Sequence, residues 1–512
     1  MAKQNYDAVI IGLGGAGLAA GVELVEQGKS VLALEKGQDW GGASKWAAEG
    51  IFAIESQQQI NAGDYTTRDD MFHHLMSWAH WRNNGLLVRK FIDKSADTID
   101  WLQDHGLKTL LVGDVQDYHW GKPGTYHMFI DKLNSFDNLV SYFQAHGGDV
   151  LTKASGQELV MTAGKLTGVK YEHHGQSLLA NTPVVIVADG GFIGNTEMVK
   201  KYVDQDISDW YVAGETKATG DGIQMVHAVG GQMRGFYNFQ NHNACVYPTF
   251  EATGGEEGNY SINQLYSLPL LWVNRRGERF TDERVVYDSV LWGNVTAKQN
   301  GKYFEILDQA TLDKFSQEKV PMLNSYTRYG AAKNFIDSLK PEDVNEPTQL
   351  MRQWSCDATT GPLSTLDRDW QQATTDGYVL KANDLTELAQ QMGVPVSNLE
   401  STVARYNEAI ANQYDPEFNK DKVLLQFGVD HGPFYAIKVR SAVLGTIGGI
   451  EIDENCRAIG ENEQVIPGVY VVGANATGMY DNSYSDVEGV TCAFAWNSGR
   501  MAAEHAVQYL NN

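Results

Sequence analysis

The stretch Tyr6-Asp7-Ala8-Val9-Ile10-Ile11-Gly12-Leu13-Gly14-Gly15-Ala16-Gly17 carries an apolar run into a glycine-rich turn and on into the helical pattern Ala16 to Gln27. A second apolar run, Ser30-Val31-Leu32-Ala33-Leu34, is closed by Glu35. Strand, turn, helix and strand, with an acid roughly 20 residues past the first glycine, form a dinucleotide-binding fingerprint. Gly12 permits the tight turn, Gly14 lets the backbone approach a pyrophosphate, and Gly17 lets the helix pack close on the strand. The helix N-terminus at Gly15 and Ala16 offers free N–H groups to the phosphates. Glu35 is placed to accept hydrogen bonds from a ribose. A bare GxGxxG is weak evidence, since a turn packed for structural reasons shares it. In its full βαβ setting it is strong.

At 512 residues the chain exceeds one hydrophobic core, so two or three lobes are expected. A formal charge of −24, spread along the chain, argues against nucleic acid or an anionic membrane as partner. No apolar stretch of about 18 residues occurs, and Met1-Ala2-Lys3-Gln4-Asn5 leads straight into the first strand. The expectation is a cytoplasmic protein. Cys245, Cys356, Cys456 and Cys492 lie far apart with no CxxC, which reads as reduced core thiols and no metal centre. Any redox chemistry then needs an organic cofactor.

Further along, Arg68 to Trp81 reads as a helix with Thr66 or Thr67 as N-cap. Residues Gln157 to Tyr171 alternate in the β manner around a Gly164-Lys165 turn. Val184-Val185-Ile186-Val187 is a buried strand ending in Ala188-Asp189-Gly190-Gly191. From about Asn238 to Gly432 the texture changes, with more aromatics, Asn and Gln. After Phe434 the chain is β-rich again, and it ends in a helix from about Gly489 to Leu510. The simplest account is an α/β dinucleotide domain built from 1–237 and 433–512, with a second domain, 238–432, inserted as a cap.

The sequence resembles the fumarate reductase and succinate dehydrogenase flavoproteins, especially the soluble single-chain members, over nearly its whole length. The resemblance rests on the opening fingerprint and on Gly41-Gly42-Ala43-Ser44 with Gly50 beyond. It extends through Ala188-Asp189-Gly190-Gly191-Phe192, Ala218-Thr219-Gly220-Asp221-Gly222, Val273-Asn274-Arg275-Arg276-Gly277-Glu278-Arg279-Phe280 and Ser498-Gly499-Arg500. It implies FAD as cofactor, in a glutathione-reductase-like domain whose flavin meets substrate beneath an α+β capping domain. By the same resemblance Gly12, Gly14, Gly17, Glu35 and Lys36 hold the ADP half. Gly42, Ala43, Ser44, Ala48 and Gly50 line the pyrophosphate and ring, and Ala188, Asp189 and Gly190 complete the cradle. Asp221 meets the ribityl or diphosphate region, and Gly473, Ala474 and Asn475 the pyrimidine side. A second GxGxxG in a βαβ unit is missing, so a separate NADH domain of the disulfide-reductase kind is not expected.

The substrate positions depart from the family. Counting from Gly277-Glu278-Arg279-Phe280, the proton-donating arginine of the family falls at Tyr287. Asn263 and Tyr266 stand at the relay positions, Tyr247-Pro248-Thr249 replaces His-Pro-Thr, and Gly445 replaces a histidine. The last carboxylate-binding arginine falls near Asp486, in Tyr484-Ser485-Asp486. Losing every fixed cation removes charge-assisted, bidentate carboxylate recognition. Arg275, Arg276, Arg279 and Arg284 remain as substitutes, though solvated or structural roles account for most of them.

The expectation is an FAD-dependent ene-reductase for a neutral aromatic alkene, resembling the carboxylate-free relative that reduces vinylphenols to ethylphenols with NADH. A separate electron donor is a further possible partner. Tyr287 is the expected proton donor, with Asp486 or a tyrosine from Tyr247, Tyr266 and Tyr484 as base. The rivals are a 3-ketosteroid dehydrogenase-like enzyme, a fumarate reductase-like enzyme for another unsaturated substrate, and a flavin redox protein without organic substrate.

Overall fold

The computed structural model describes residues 4–63, 66–112, 124–236, 238–246, 262, 265–321, 359–481 and 483–512. Mostly apolar runs without polar alternation are the signature of strands buried on both sides. Three such runs, Ala8–Ile11, Val31–Glu35 and Val185–Val187, are buried throughout and pair in parallel. The six-stranded sheet they anchor runs in the order Arg457–Ile459, Val465–Val471, Val185–Val187, Ala8–Ile11, Val31–Glu35, Gly148–Thr152. Only the outermost pair, Arg457–Ile459 with Val465–Val471, is antiparallel. Segments from both ends of the chain therefore share one sheet.

The helix Gly15–Glu26 is buried on almost every side, because the C-terminal helix Val490–Asn511 covers its outer face. Small residues make this possible. A methyl group at Gly17 would overlap the Gly12 carbonyl oxygen, and one at Gly499 would overlap the Ala16 carbonyl. The helix Arg68–Trp78 starts at Thr67, whose hydroxyl accepts from the Asp70 N–H while the Asp70 carboxylate bonds back, a capping box. The strands Ala154–Thr162 and Lys165–His173 form the expected hairpin, extended by Gln176–Asn181.

A second lobe is organised on the 13-residue strand Phe434–Thr446. It pairs with Lys302–Asp308, Phe239–Val246 and Val379–Ala382 antiparallel, and with Tyr211–Val212 in parallel. The boundary expected at 433 falls immediately before this strand. Gly432-Pro433 punctuates the start of a strand of this second sheet, and the chain leaves it only after Thr446. The lobe's core is aromatic: Trp272 lies 4.8 Å from Tyr303 and 6.1 Å from Trp292, ring centre to centre. Beside it lies a buried ion network in which Arg279 meets Glu283 at 2.7 Å and Asp415 at 2.8 Å, while Lys420 meets Glu283 at 3.1 Å. Removing one member of such a network leaves a buried charge uncompensated, at a cost of about 3–5 kcal/mol. Arg279 is thus structural, while Arg275, Arg276 and Arg284 are exposed.

Candidate active site

One cavity of about 410 Å³ runs from the glycine turn to the second lobe. Its first end is made largely of backbone. Gly12, Gly14, Gly15, Ala16, Glu35, Lys36, Gly42, Ala43, Ser44, Ala48 and Gly50 line it, joined by Ala188, Asp189, Gly190, Asp221, Gly473 and Ala474. Gly17 and Asn475, expected with them, stand behind the wall. Gly17 is spent on helix–strand packing. The Asn475 side chain accepts from the Gly191 N–H at 2.5 Å and donates to Asp189, fixing the glycine turn from behind.

The space at this end fits FAD. A methyl group added at Gly14 would meet nothing closer than 3.7 Å, and at Gly190 or Gly473 nothing closer than 3.5 Å, so a side chain there would fill the cradle. Gly12 differs: its methyl would meet the Ala188 carbonyl at 2.6 Å, so this glycine serves the turn. Glu35 is buried and preset by the Gly37 N–H at 2.7 Å and the Leu13 N–H at 3.2 Å. Its carboxylate still has acceptor capacity for a ribose. Lys36 is held by Asp221 at 2.8 Å, and Lys217 lies 3.7 Å from Glu35, a cation that sequence reasoning missed. Burial raises the Asp189 carboxyl above its ordinary range, opposed by the Gly222 N–H and the Asn475 amide.

The second end is made of side chains from four distant segments. The strand Phe239–Val246 contributes Gln240, His242 and Asn243; its pairing is interrupted by irregularities, and Asn243 has φ 63°. Such bulges re-aim side chains, so consecutive residues face one space. Asp288 accepts from the N–H groups of Val290 and Leu291, both at 2.9 Å, and so starts the helix Ser289–Lys298. Ser289, Val290 and Trp292 of that helix reach the cavity. Leu444 and Gly445 come from the end of the long strand, Tyr484 to Gly489 from the approach to the last helix, and Thr491 and Cys492 from its first turn.

Tyr287 is not on this wall. The 3-10 turn Glu283–Tyr287 points it into the aromatic core, where it is 1% exposed and packs with Tyr266, also off the wall. Tyr247 and Asn263 lie outside the described residues. Tyr484 and Asp486 are on the wall. Tyr484 accepts a hydrogen bond from Thr491 at 2.6 Å, Thr491 accepts from Tyr480 at 3.3 Å, and burial lifts the Tyr484 phenol to about 12. Asp486 is 9% exposed, and both its oxygens face His74. His242 was missed by the sequence reading. Its signal was a polar run, Gln240-Asn241-His242-Asn243, inside a strand. It lies 3.1 Å from the Ser289 hydroxyl, and burial lowers it to about 4, so it is neutral at neutral pH. No lysine or arginine among the described residues lines this end, while Asp486 and Glu488 do.

Cys245, Cys456 and Cys492 are free thiols, and burial raises all three. Among the described residues no His, Cys, Asp or Glu cluster suits a metal ion, and no helix is long and apolar enough to cross a membrane.

This architecture and cradle are those of a flavoprotein. The model of the FAD binding domain family matches residues 7–486, and the chain belongs to that family. It is an FAD-dependent oxidoreductase with a mixed α/β flavoprotein fold. A vinyl phenol reductase of Lactiplantibacillus plantarum is 30% identical over 99% of this chain and 97% of its own length. An NADH:fumarate oxidoreductase of Klebsiella pneumoniae is 25% identical over 99% of this chain, which spans 48% of that protein. The crystal structure of a 3-ketosteroid delta1-dehydrogenase from Sterolibacterium denitrificans superposes with a TM-score of 0.74 at 16% identity, over 99% of this chain and all of that one.

Proposed function

We propose that the protein is a cytoplasmic ene-reductase that reduces the vinyl C=C bond of a neutral aromatic alkene, a 4-vinylphenol, to the ethyl group. The carrying observation is the substrate end of the cavity, where tyrosine, serine and neutral histidine stand with two acids and no described cation. Among the described residues a dicarboxylate would meet two acids there and no cation to pair with. The full-length similarity to a vinyl phenol reductase supports the same substrate class. In this reading the sheet shared by both chain ends is a glutathione-reductase-like FAD domain, formed by 1–237 and the C-terminal segment, and the second lobe caps it.

Bound FAD in its reduced form would supply hydride from N5, with NADH as the electron source. The chain's own residues handle protons. A styrene is a poor hydride acceptor, but protonating the terminal vinyl carbon while the phenol loses its proton gives a quinone methide, whose benzylic carbon accepts hydride readily. The donor role falls to Tyr484 rather than Tyr287, because Tyr484 is on the wall and Tyr287 is behind it. Since Thr491 donates to the Tyr484 oxygen, the tyrosine's own proton is available to the cavity. Asp486 accepts the phenolic proton and returns it after hydride arrives.

The test is anaerobic reoxidation of the reduced holoenzyme by 4-vinylphenol, 4-methoxystyrene and fumarate. Rapid reoxidation by 4-vinylphenol alone is expected. Efficient reduction of 4-methoxystyrene, which has no phenolic proton to lose, would overturn the mechanism. A matching rate with fumarate would overturn the substrate class.

A further inference from the structure

Asp486 does not stand alone. Its two carboxylate oxygens lie 2.9 and 3.0 Å from a single ring nitrogen, Nε2 of His74, a residue 412 positions away in sequence. His74 belongs to the helix Arg68–Trp78. One helical turn further on, the Trp78 indole N–H donates to the Tyr484 carbonyl at 2.8 Å. Positions i and i+4 share a helix face, so this one face grips both Tyr484 and Asp486 and sets their spacing. Just beyond the helix, Arg82 holds Asp481 at 3.0 Å, which anchors the start of the same segment. The burial is graded: the Asp486 side chain is 9% exposed and that of His74 36%. The pair thus sits at the cavity wall: Asp486 lines the cavity, and the more exposed His74 stands behind it.

We infer that His74 is the positioning residue of a His74–Asp486 dyad that recognises the substrate's phenolic hydroxyl. The inference rests on the ene-reductase reading above and deepens it. A carboxylate at the cavity wall discriminates for a ligand O–H and against an ether or a second carboxylate, because only the O–H donates to it. In turnover the phenolic O–H bond breaks as Tyr484 protonates the vinyl carbon, and an O–H bond forms on Asp486. With the hydride that bound, reduced FAD would supply, the benzylic C–H bond forms, and the ethylphenolate takes its proton back from Asp486. The dyad gains and loses one proton per cycle, Tyr484 regains its proton from solvent, and the two electrons are those that reduced FAD would supply. His74, donating through Nε2, holds the carboxylate in one orientation throughout.

The test has a binding arm independent of turnover. Calorimetry on the oxidised holoenzyme compares 4-ethylphenol with 4-ethylanisole. Wild type is expected to prefer the phenol by at least about tenfold, the worth of one hydrogen bond to a charged group. Asp486→Ala is expected to abolish that preference. His74→Ala is expected to reduce it below about threefold, with 4-ethylanisole affinity and FAD content unchanged. His74→Gln, which restores an N–H toward Asp486, is expected to recover it, as is imidazole added to His74→Ala. A His74→Ala variant with the full preference, or one that loses both ligands equally, would overturn the dyad. Wild-type enzyme that reduces 4-vinylphenol yet shows no phenol preference overturns the dyad alone. Wild-type enzyme that reduces no 4-vinylphenol overturns the proposed function, and the inference with it.

Discussion

The two ends of one cavity are built on opposite principles. At the glycine end, recognition comes from backbone N–H groups and from the space that missing side chains leave, gathered mostly from residues 11–50. At the second end it comes from side chains of four segments between Gln240 and Cys492, aimed by a bulge, a capped helix start and the loop before the last helix. A backbone site is tied to a local pattern of residues, so it persists as chemistry elsewhere changes. A side-chain site is rewritten one residue at a time.

The largest effects belong to the backbone end, and two glycines there separate cofactor binding from folding. Gly14→Val fills open space, so the variant is expected to fold yet bind FAD at least roughly 100-fold more weakly, by losing hydrogen bonds to phosphate of about 1.5–3 kcal/mol each. Gly17→Val places its side chain against the Gly12 carbonyl and is expected to cost more than about 3 kcal/mol of stability as well. Flavin content and urea midpoints check both. A flavin-replete Gly14→Val would break the distinction between the two ends.

At the side-chain end the expected loss is in rate. Tyr484→Phe should retain FAD and the fold but lower kcat by about 10²–10⁴, the usual worth of general acid catalysis. Tyr287→Phe, altered only inside the aromatic core, should stay within about threefold of wild type in kcat; any change should appear in the thermal midpoint. Single-turnover kinetics with 4-vinylphenol decide between them. The reverse outcome would return the donor role to Tyr287.

This contrast also explains what was legible in the sequence. The fingerprint, the buried strands, the Thr67 cap and the 154–173 hairpin are local, and each could be read from neighbouring residues. Gly432-Pro433 reads as a break, but the pairing of the strand that follows it with Lys302–Asp308 is set by residues far away in sequence. The placement of Tyr287 is likewise not local: counting along a motif cannot see that a 3-10 turn points one residue into the core while Ser289, Val290 and Trp292 reach the wall. His74 and Asp486 are joined only by the fold, and no pattern within either segment announces the other.

One histidine at each end of the cavity resists protonation in acid. His127 lies behind the cofactor segment, its strand paired through Ile51 and its Nε2 2.7 Å from the Ser56 hydroxyl. His242 is on the substrate wall. Burial lowers both from 6.5 to about 4. Between those values the unfolded chain binds protons that the folded chain refuses, so stability is complete above about pH 6.5 and declines as pH falls toward 4. Each group contributes up to about 3 kcal/mol to that decline. Urea midpoints from pH 7.5 to 4.5 should therefore fall, and His242→Asn should remove part of the slope without altering flavin affinity. His127→Gln should remove another part while loosening FAD, since the strand it anchors carries Gly50. Equal effects of both substitutions on flavin affinity would show that the two ends are one cooperative site.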